Sequence, residues 1–216
     1  MQRGGAVKRA TDLRLLPLDT RALIELAADW LADQQNWQWL DFGDGAQIVK
    51  PPLLKIMTQR ETHFLRAYTN DDDLPIGIVG LNSVDRRSGT ATFWVVGGEK
   101  SLRRRGYATL AGSKLLALAF RDLGLHAINT WVVEHNPSRR MVERLGFRFV
   151  GRQRQCHCID GRIYDRLLYD LLAGEHRDIG PTAPNDGLTW ASGSGARGRS
   201  GPAAPGVAKG EVDPAA

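Results

Sequence analysis

Residues 93–109, Phe-Trp-Val-Val-Gly-Gly-Glu-Lys-Ser-Leu-Arg-Arg-Arg-Gly-Tyr-Ala-Thr, constrain this chain more than any other stretch. An apolar run rich in β-branched and aromatic residues ends at Gly97-Gly98, a polar loop follows, and a helical pattern opens at Tyr107. A strand feeding the start of a long helix leaves backbone N–H groups unpaired at the positive end of the helix dipole, which makes the junction an anion site. Gly106 and Ala108 keep the backbone unshielded, so a pyrophosphate can approach it closely. Arg103, Arg104 and Arg105 add positive charge around it. Taken alone, such a loop is weak evidence, since an exposed basic turn has the same sequence, and the rest of the chain has to decide.

The flanking patterns build a mixed α/β layer. A short strand is expected over 13–17, then a helix capped by Asp19 or Thr20 with Leu23, Leu26, Ala27, Trp30 and Leu31 on its apolar face. A second helix starts at Pro51-Pro52. Strands follow over 63–68, 76–82 and 90–96, separated by the turns Asn70-Asp71-Asp72-Asp73 and Arg86-Arg87-Ser88-Gly89. A long helix over 107–123, a strand over 127–133, a helix over 138–145 and two strands within 147–172, joined at Asp160-Gly161, complete the order β-α-α-β-β-β-α-β-α-β-β. That is one domain over 13–173 with a mixed sheet, distinct from a doubly wound one. Residues 1–12 read as a flexible leader. From Gly174 to Ala216 the sequence turns to Gly, Ala, Pro and Ser, so burial cannot repay the ordering entropy and a disordered tail is expected.

Composition narrows the partners. The chain has 216 residues, a formal charge of +5 and 42% hydrophobic residues, enough for a real core. The positive balance suits an acidic partner, either nucleic acid or a phosphate-rich cofactor. The two cysteines, Cys156 and Cys158, are next-but-one neighbours and imply no disulfide framework. No apolar run reaches the length of a membrane span and no signal-peptide pattern opens the chain, so a cytoplasmic protein is expected.

Three motifs in order then resemble one family. Arg103-x-x-Gly106-x-Ala108 between strand and helix is similar to the Gln/Arg-x-x-Gly-x-Gly/Ala signature of the GNAT acetyltransferases. Ser138-Arg139-Arg140-Met141-Val142-Glu143-Arg144-Leu145-Gly146-Phe147 looks like the family's Ser-x-x-x-x-Glu-x-Leu-Gly-Phe turn. Asp160-Gly161-Arg162-Ile163-Tyr164-Asp165 and the following residues to Tyr169 resemble the closing strand of the RimJ/RimL branch, which acetylates ribosomal-protein N-termini. The matches span roughly residues 13–172. The resemblance implies a mostly antiparallel sheet flanked by helices, whose fourth strand bulges and diverges from the fifth. It implies acetyl-CoA as co-substrate, with Trp94, Val95 and Val96 along the pantetheine arm. Arg103, Arg104, Arg105, Gly106, Tyr107, Ala108 and Thr109 would hold the pyrophosphate. Many relatives carry Gly where this chain has Arg104, and if that position needs an unusual φ the loop must bend differently. Asn136 stands one residue later than the family's Asn before the Ser, which bears on its part in holding the coenzyme.

The reaction so implied is direct attack of a primary amine on the thioester within a ternary complex, without a covalent enzyme intermediate. A backbone N–H near Val95 or Val96 would face the carbonyl oxygen. Ser138, eight residues before Gly146, is the candidate donor to the departing sulfur; the alternative is a helix N-cap. His157, eleven residues after Gly146, stands where the ribosomal-protein acetyltransferases carry a Glu that serves as a base, and the resemblance makes it the candidate general base. It reads equally as an exposed strand histidine. A Cys-His-Cys metal site is opposed by the alternation of neighbouring side chains, so no metal is expected. Glu61, His63, Glu134 and His135 are reserve bases. Trp30, Trp37 and Trp39 fall in the region that walls the acceptor pocket, where aromatics can stack on a cation, although Trp30 also reads as core. The acceptor is a peptide N-terminus or a small amine such as a polyamine or aminoglycoside; neither nucleic acid nor membrane is an expected partner, and a homodimer is left open. The non-enzyme alternative is an acyl-CoA-sensing module, and a nucleic-acid binder is disfavoured because the basic residues cluster at one loop.

Overall fold

Alternating burial along the strands sets the frame, because successive side chains of a strand face opposite sides of a sheet. The computed structural model describes residues 12–42 and 48–180. Within them the chain runs β1 (Leu15–Pro17), α1 (Arg21–Ala32), α2 (Gln34–Trp37), α3 (Pro51–Thr58), β2 (Phe64–Thr69), β3 (Pro75–Asp85) and β4 (Thr90–Gly97). A 3-10 turn at Lys100–Leu102 leads to α4 (Tyr107–Arg121), β5 (Ala127–Val133), α5 (Arg139–Arg144), β6 (Arg148–Ile159) and β7 (Arg162–Leu172). The seven strands lie in the order β1-β2-β3-β4-β5-β7-β6, antiparallel throughout except for the β4–β5 pair. The expected mixed, mostly antiparallel sheet flanked by helices is what the chain forms.

The two faces have different cores. Phe93, Ile128, Val132, Leu167, Tyr169 and Leu171 pack with Leu115 and Leu116 of α4 and Val142 of α5 on one side. Leu65, Ile78, Trp94 and Val96 pack with Ile24, Ala27, Leu31 and Leu54 of α1 and α3 on the other. Thr20 caps α1, its hydroxyl accepting from the Leu23 N–H. The buried stripe of α1 is Ile24, Ala27, Ala28 and Leu31, one position round from the expected face. Leu26 is 37% exposed, and Trp30 lies half-buried over Gly98.

Two further expectations shift. The bulge lies on β3, at Ser83 (φ 50°), instead of on β4, so Asn82–Asp85 oppose Thr92–Thr90 out of step. The ordered domain also runs past residue 173. Ile179 N–H donates to Ser113 Oγ (2.8 Å), His176 packs on Phe120 and Arg121 pairs with Asp178, so 174–180 dock on α4. The remainder of the expected tail, 181–216, and the leader through residue 11 lie outside the described residues.

The pairing of β4 with β5 is brief. Their register holds only over Thr90–Ala127, Ala91–Ile128 and Thr92–Asn129. At the next position Thr130 Oγ1 donates to the Phe93 carbonyl (2.9 Å) and ends the ladder with a buried side-chain bond. Replacing Thr130 by Val keeps the shape and strands that carbonyl, so chemical denaturation should show a loss of about 1–3 kcal/mol. An unchanged midpoint would mean that the parting is held by packing alone.

Candidate functional site

Beyond Phe93 the strands part, and a cleft of about 810 Å³ opens between them. N–H and C=O of one residue point to the same edge of a strand, and the edge alternates residue by residue. The Phe93 carbonyl faces β5, whereas the Val96 carbonyl accepts from Tyr68 on the opposite side (3.2 Å). Val95 therefore turns its N–H and C=O toward β5, where no ladder partner remains. Trp94, Val95 and Val96 all line the cleft, with Thr130, Trp131 and Val132 across from them.

The loop after β4 closes one end. Three contacts fix the 3-10 turn: Lys100 pairs with Asp33, Glu99 accepts from the Ser101 N–H (3.1 Å) and Arg103 reaches Asn36 Oδ1 (3.4 Å). The first intrahelical bond of α4 is Leu110 N–H to the Gly106 carbonyl (3.0 Å). The N–H groups of Tyr107, Ala108 and Thr109 thus emerge from the helix end, and Gly106 at the N-cap offers them no side chain. Gly106 takes φ 96°, and a Cβ added there would meet nothing within 4 Å, so the space above the loop is open. Arg104 has φ 67°. The loop does require a left-handed residue where relatives carry glycine, and the chain adopts that bend with an arginine in place.

Of the predicted coenzyme residues, Arg103, Arg104, Gly106, Tyr107, Ala108, Thr109 and Asn136 line the cleft; Arg105 lies outside its lining. Tyr107 is anchored by its hydroxyl to Asp71 Oδ2 (2.7 Å), so the β2–β3 turn braces the loop. Sequence reasoning missed Arg140 and Arg144, one helical turn apart on α5, which bring two more guanidinium groups to the cleft. Their spacing inside the Ser138–Phe147 motif was the available signal.

Ser138 lines the cleft as well and is not a side-chain cap. It has helical angles (φ −62°, ψ −17°) and makes no capping bond. Asn136 Oδ1 accepts from the Ser138 N–H instead (2.8 Å), which turns the chain into α5 and leaves the serine hydroxyl for the cleft.

His157 is elsewhere. It is buried, 6% exposed, outside the cleft lining, and both ring nitrogens are engaged. A carbonyl only accepts and a guanidinium only donates, so the bonds assign its tautomer. Nε2–H donates to the Gln38 carbonyl (2.7 Å), and bare Nδ1 accepts from Arg166 (3.0 and 3.2 Å). Burial pushes its pKa below the ordinary imidazole value, and the Arg166 charge acts in the same direction, while the Gln38 carbonyl opposes them. The expected exposed histidine is thus a neutral, buried linker. The alternation with free Cys156 and Cys158 holds, His157 turning inward between them. Glu61, His63, Glu134 and His135 also stand outside the lining: Glu134 pairs with Arg152 (3.0 Å), and His135 meets the Trp39 ring edge-on and packs against the Tyr164 ring. Of the three expected tryptophans Trp39 alone lines the cleft, joined by Asp41 and Phe42.

An uncapped helix start, an arginine-rich loop and a parted pair of parallel strands lie along one cleft. Known proteins carry the same design. The family model for the acetyltransferase (GNAT) domain matches residues 12–148. YdaF of Bacillus subtilis, named as a candidate ribosomal N-acetyltransferase, is 27% identical over 179 residues, covering 76% of this chain and 91% of its own. A Chromobacterium violaceum protein described as a GNAT-family acetyltransferase superposes with a TM-score of 0.60 at 26% identity, covering 80% of this chain and 95% of that one. The spermidine N-acetyltransferase of Vibrio cholerae, solved with CoA and spermine, has the same fold, with a TM-score of 0.65 at 19% identity over 76% of this chain and 96% of its own. With the family model covering more than half its length, the chain belongs to the GNAT acetyltransferase family.

Proposed function

We propose that this chain, a GNAT N-acetyltransferase, transfers an acetyl group from acetyl-CoA to a primary amine by direct attack with both substrates in the cleft. The observation that carries the reading is the alignment of two unpaired backbone features along one slot: the Val95 edge of β4 and the bare N-terminus of α4. Acetyl-CoA supplies an activated thioester carbonyl. The N–H groups of Tyr107, Ala108 and Thr109, with Arg103 and Arg104, hold its pyrophosphate. Val95 N–H donates to the oxygen on which negative charge develops. Ser138 Oγ–H donates to the sulfur as the C–S bond breaks.

No described histidine in the cleft takes the amine proton. His157 serves by position, tying Gln38 to β6, and accepts a proton at Nδ1 only by giving up Arg166. Water in the cleft carries the proton away, with Asp41 the nearby carboxylate. The acceptor is a peptide N-terminus or a small-molecule amine; YdaF's name favours the former and the spermidine enzyme's the latter. Acetyl-CoA supply and two free thiols fit a cytoplasmic setting.

Gly106→Glu tests the slot. It puts a carboxylate beside the pyrophosphate, and calorimetry should show acetyl-CoA affinity falling by about 10- to 100-fold in a folded protein, roughly 1.4–2.8 kcal/mol. Unchanged affinity would place the coenzyme elsewhere. Arg104→Gly separates strain from charge: relief of the left-handed residue should stabilise the protein by about 1 kcal/mol while acetyl-CoA binding weakens severalfold. Ser138→Ala should lower kcat by about tenfold or less without moving Tm, because no capping bond is lost.

The histidine has its own test. Its folded pKa lies below the unfolded value, so the unfolded chain binds the extra proton and stability is lost as pH falls through about 6.5. His157→Gln should flatten that limb relative to the parent. His63, whose pKa burial also lowers, contributes equally to both proteins. A parallel drop in both would show His157 protonated in the fold.

A further inference from the structure

The side chains that close the far end of the cleft come from one face of the sheet. Thr130, Val132, Leu167 and Tyr169 turn toward α4 and α5, so Trp131, Arg166 and His157 turn to the opposite face. There the segment after α2 covers them. His157 is bonded to Gln38, Arg166 Nη2 donates to Asp41 Oδ2 (2.9 Å), and the Arg166 guanidinium lies 3.9 Å from the centroid of the Trp131 ring. Phe42 meets Trp94 edge-on at 4.9 Å. The result is a wall of Trp39, Phe42, Trp94 and Trp131 with one carboxylate, Asp41.

The charge of this end decides what it can accept. Among the described residues lining the cleft the carboxylates are Asp41 and Glu99, and Glu99 sits at the phosphate end, bonded to Ser101. Asp41 is already neutralised by Arg166, whose side chain is 15% exposed, while His157 behind it is neutral. The other charges in the cleft are the guanidinium groups of Arg103, Arg104, Arg140 and Arg144. With the arginines at the other end answered by the coenzyme phosphates, a molecule with several ammonium groups would meet at this end, among the described residues, one carboxylate that Arg166 already shares. A single ammonium on a flat apolar body meets aromatic faces, which attract a cation and bury the body.

We infer that the acceptor is a monoamine carried on an aromatic body, and that Arg166, by occupying Asp41 and stacking on Trp131, sets this choice against polyamines. The inference rests on the acetyltransferase reading above and names the substrate class of that site. The same chemistry is offered by a free arylalkylamine and by a peptide beginning with an aromatic residue, so both belong in the test.

Thiol release from acetyl-CoA would be measured with 2-phenylethylamine, tryptamine, a neutral Phe-initiated peptide amide, butylamine, spermidine and spermine. The expected kcat/KM for the aromatic amines exceeds that for butylamine by about tenfold, the gain from burying and stacking the aromatic body, and that for spermidine by more. Whichever aromatic arm is faster identifies the source. Arg166→Gln frees Asp41 and should raise the spermidine-to-phenylethylamine ratio. Asp41→Asn leaves Arg166 unpaired and should lower it, so the two variants move the ratio in opposite directions and a general loss of fold cannot mimic the pattern. Spermidine turned over as well as phenylethylamine, or a ratio moved the same way by both variants, overturns the substrate class alone. Binding of acetyl-CoA without thiol release for any amine overturns the acetyltransferase reading and this inference with it.

Discussion

A β-sheet holds together by a ladder of backbone bonds, and the site exists where that ladder is interrupted. Among the described residues β4 and β5 are the one parallel pair, and they share three register positions before Thr130 reaches across to the Phe93 carbonyl. The cleft opens at that bond. Past it, Val95 has backbone groups with no partner among the described residues, a condition a folded chain normally avoids in its interior. The cleft, its solvent and its eventual occupant satisfy them. The two cores on either side of the sheet remain intact because Phe93 and Trp94 fill opposite faces at the point of parting.

The anion end depends on a second economy of side chains. Most helix starts recruit a Ser, Thr, Asp or Asn to satisfy the first N–H groups. Here α1 does so through Thr20, whereas α4 begins at a glycine with open space above it. The same contrast recurs at α5, where Asn136 organises the turn and Ser138 is spared for the cleft. Bracing comes from outside the loop, through Tyr107 to Asp71, Lys100 to Asp33 and Arg103 to Asn36. The loop is therefore fixed in shape while its donors remain available.

Much of this was legible in the sequence. Strand–loop–helix around Gly106 announces itself because glycine, arginine and apolar periodicity change over within a few residues. The Arg104 substitution pointed to a strained position, and the backbone there is indeed left-handed. His157 was misread as exposed for a definite reason. Between Gln153 and His157, β6 carries extra residues opposite Arg166–Tyr164, with Gln155 at φ 50°, so counting forward from Gly146 does not predict which way a side chain faces. The acceptor wall was only partly legible. Trp39 and Phe42 belong to a short segment with no periodicity, and their ring partners His135 and Trp94 lie about 50–100 residues away, joined by tertiary packing that no local pattern encodes.

Amide hydrogen exchange, followed residue by residue with and without CoA, tests the central claim most directly. Occupation of one slot by the coenzyme predicts slower exchange at Val95 on the strand edge and at Tyr107, Ala108 and Thr109 on the helix end, each by about tenfold or more, with β1 and β2 unchanged. Protection at the helix end with none at Val95 would leave a phosphate site unconnected to the parted strands, and protection at neither would contradict the account outright.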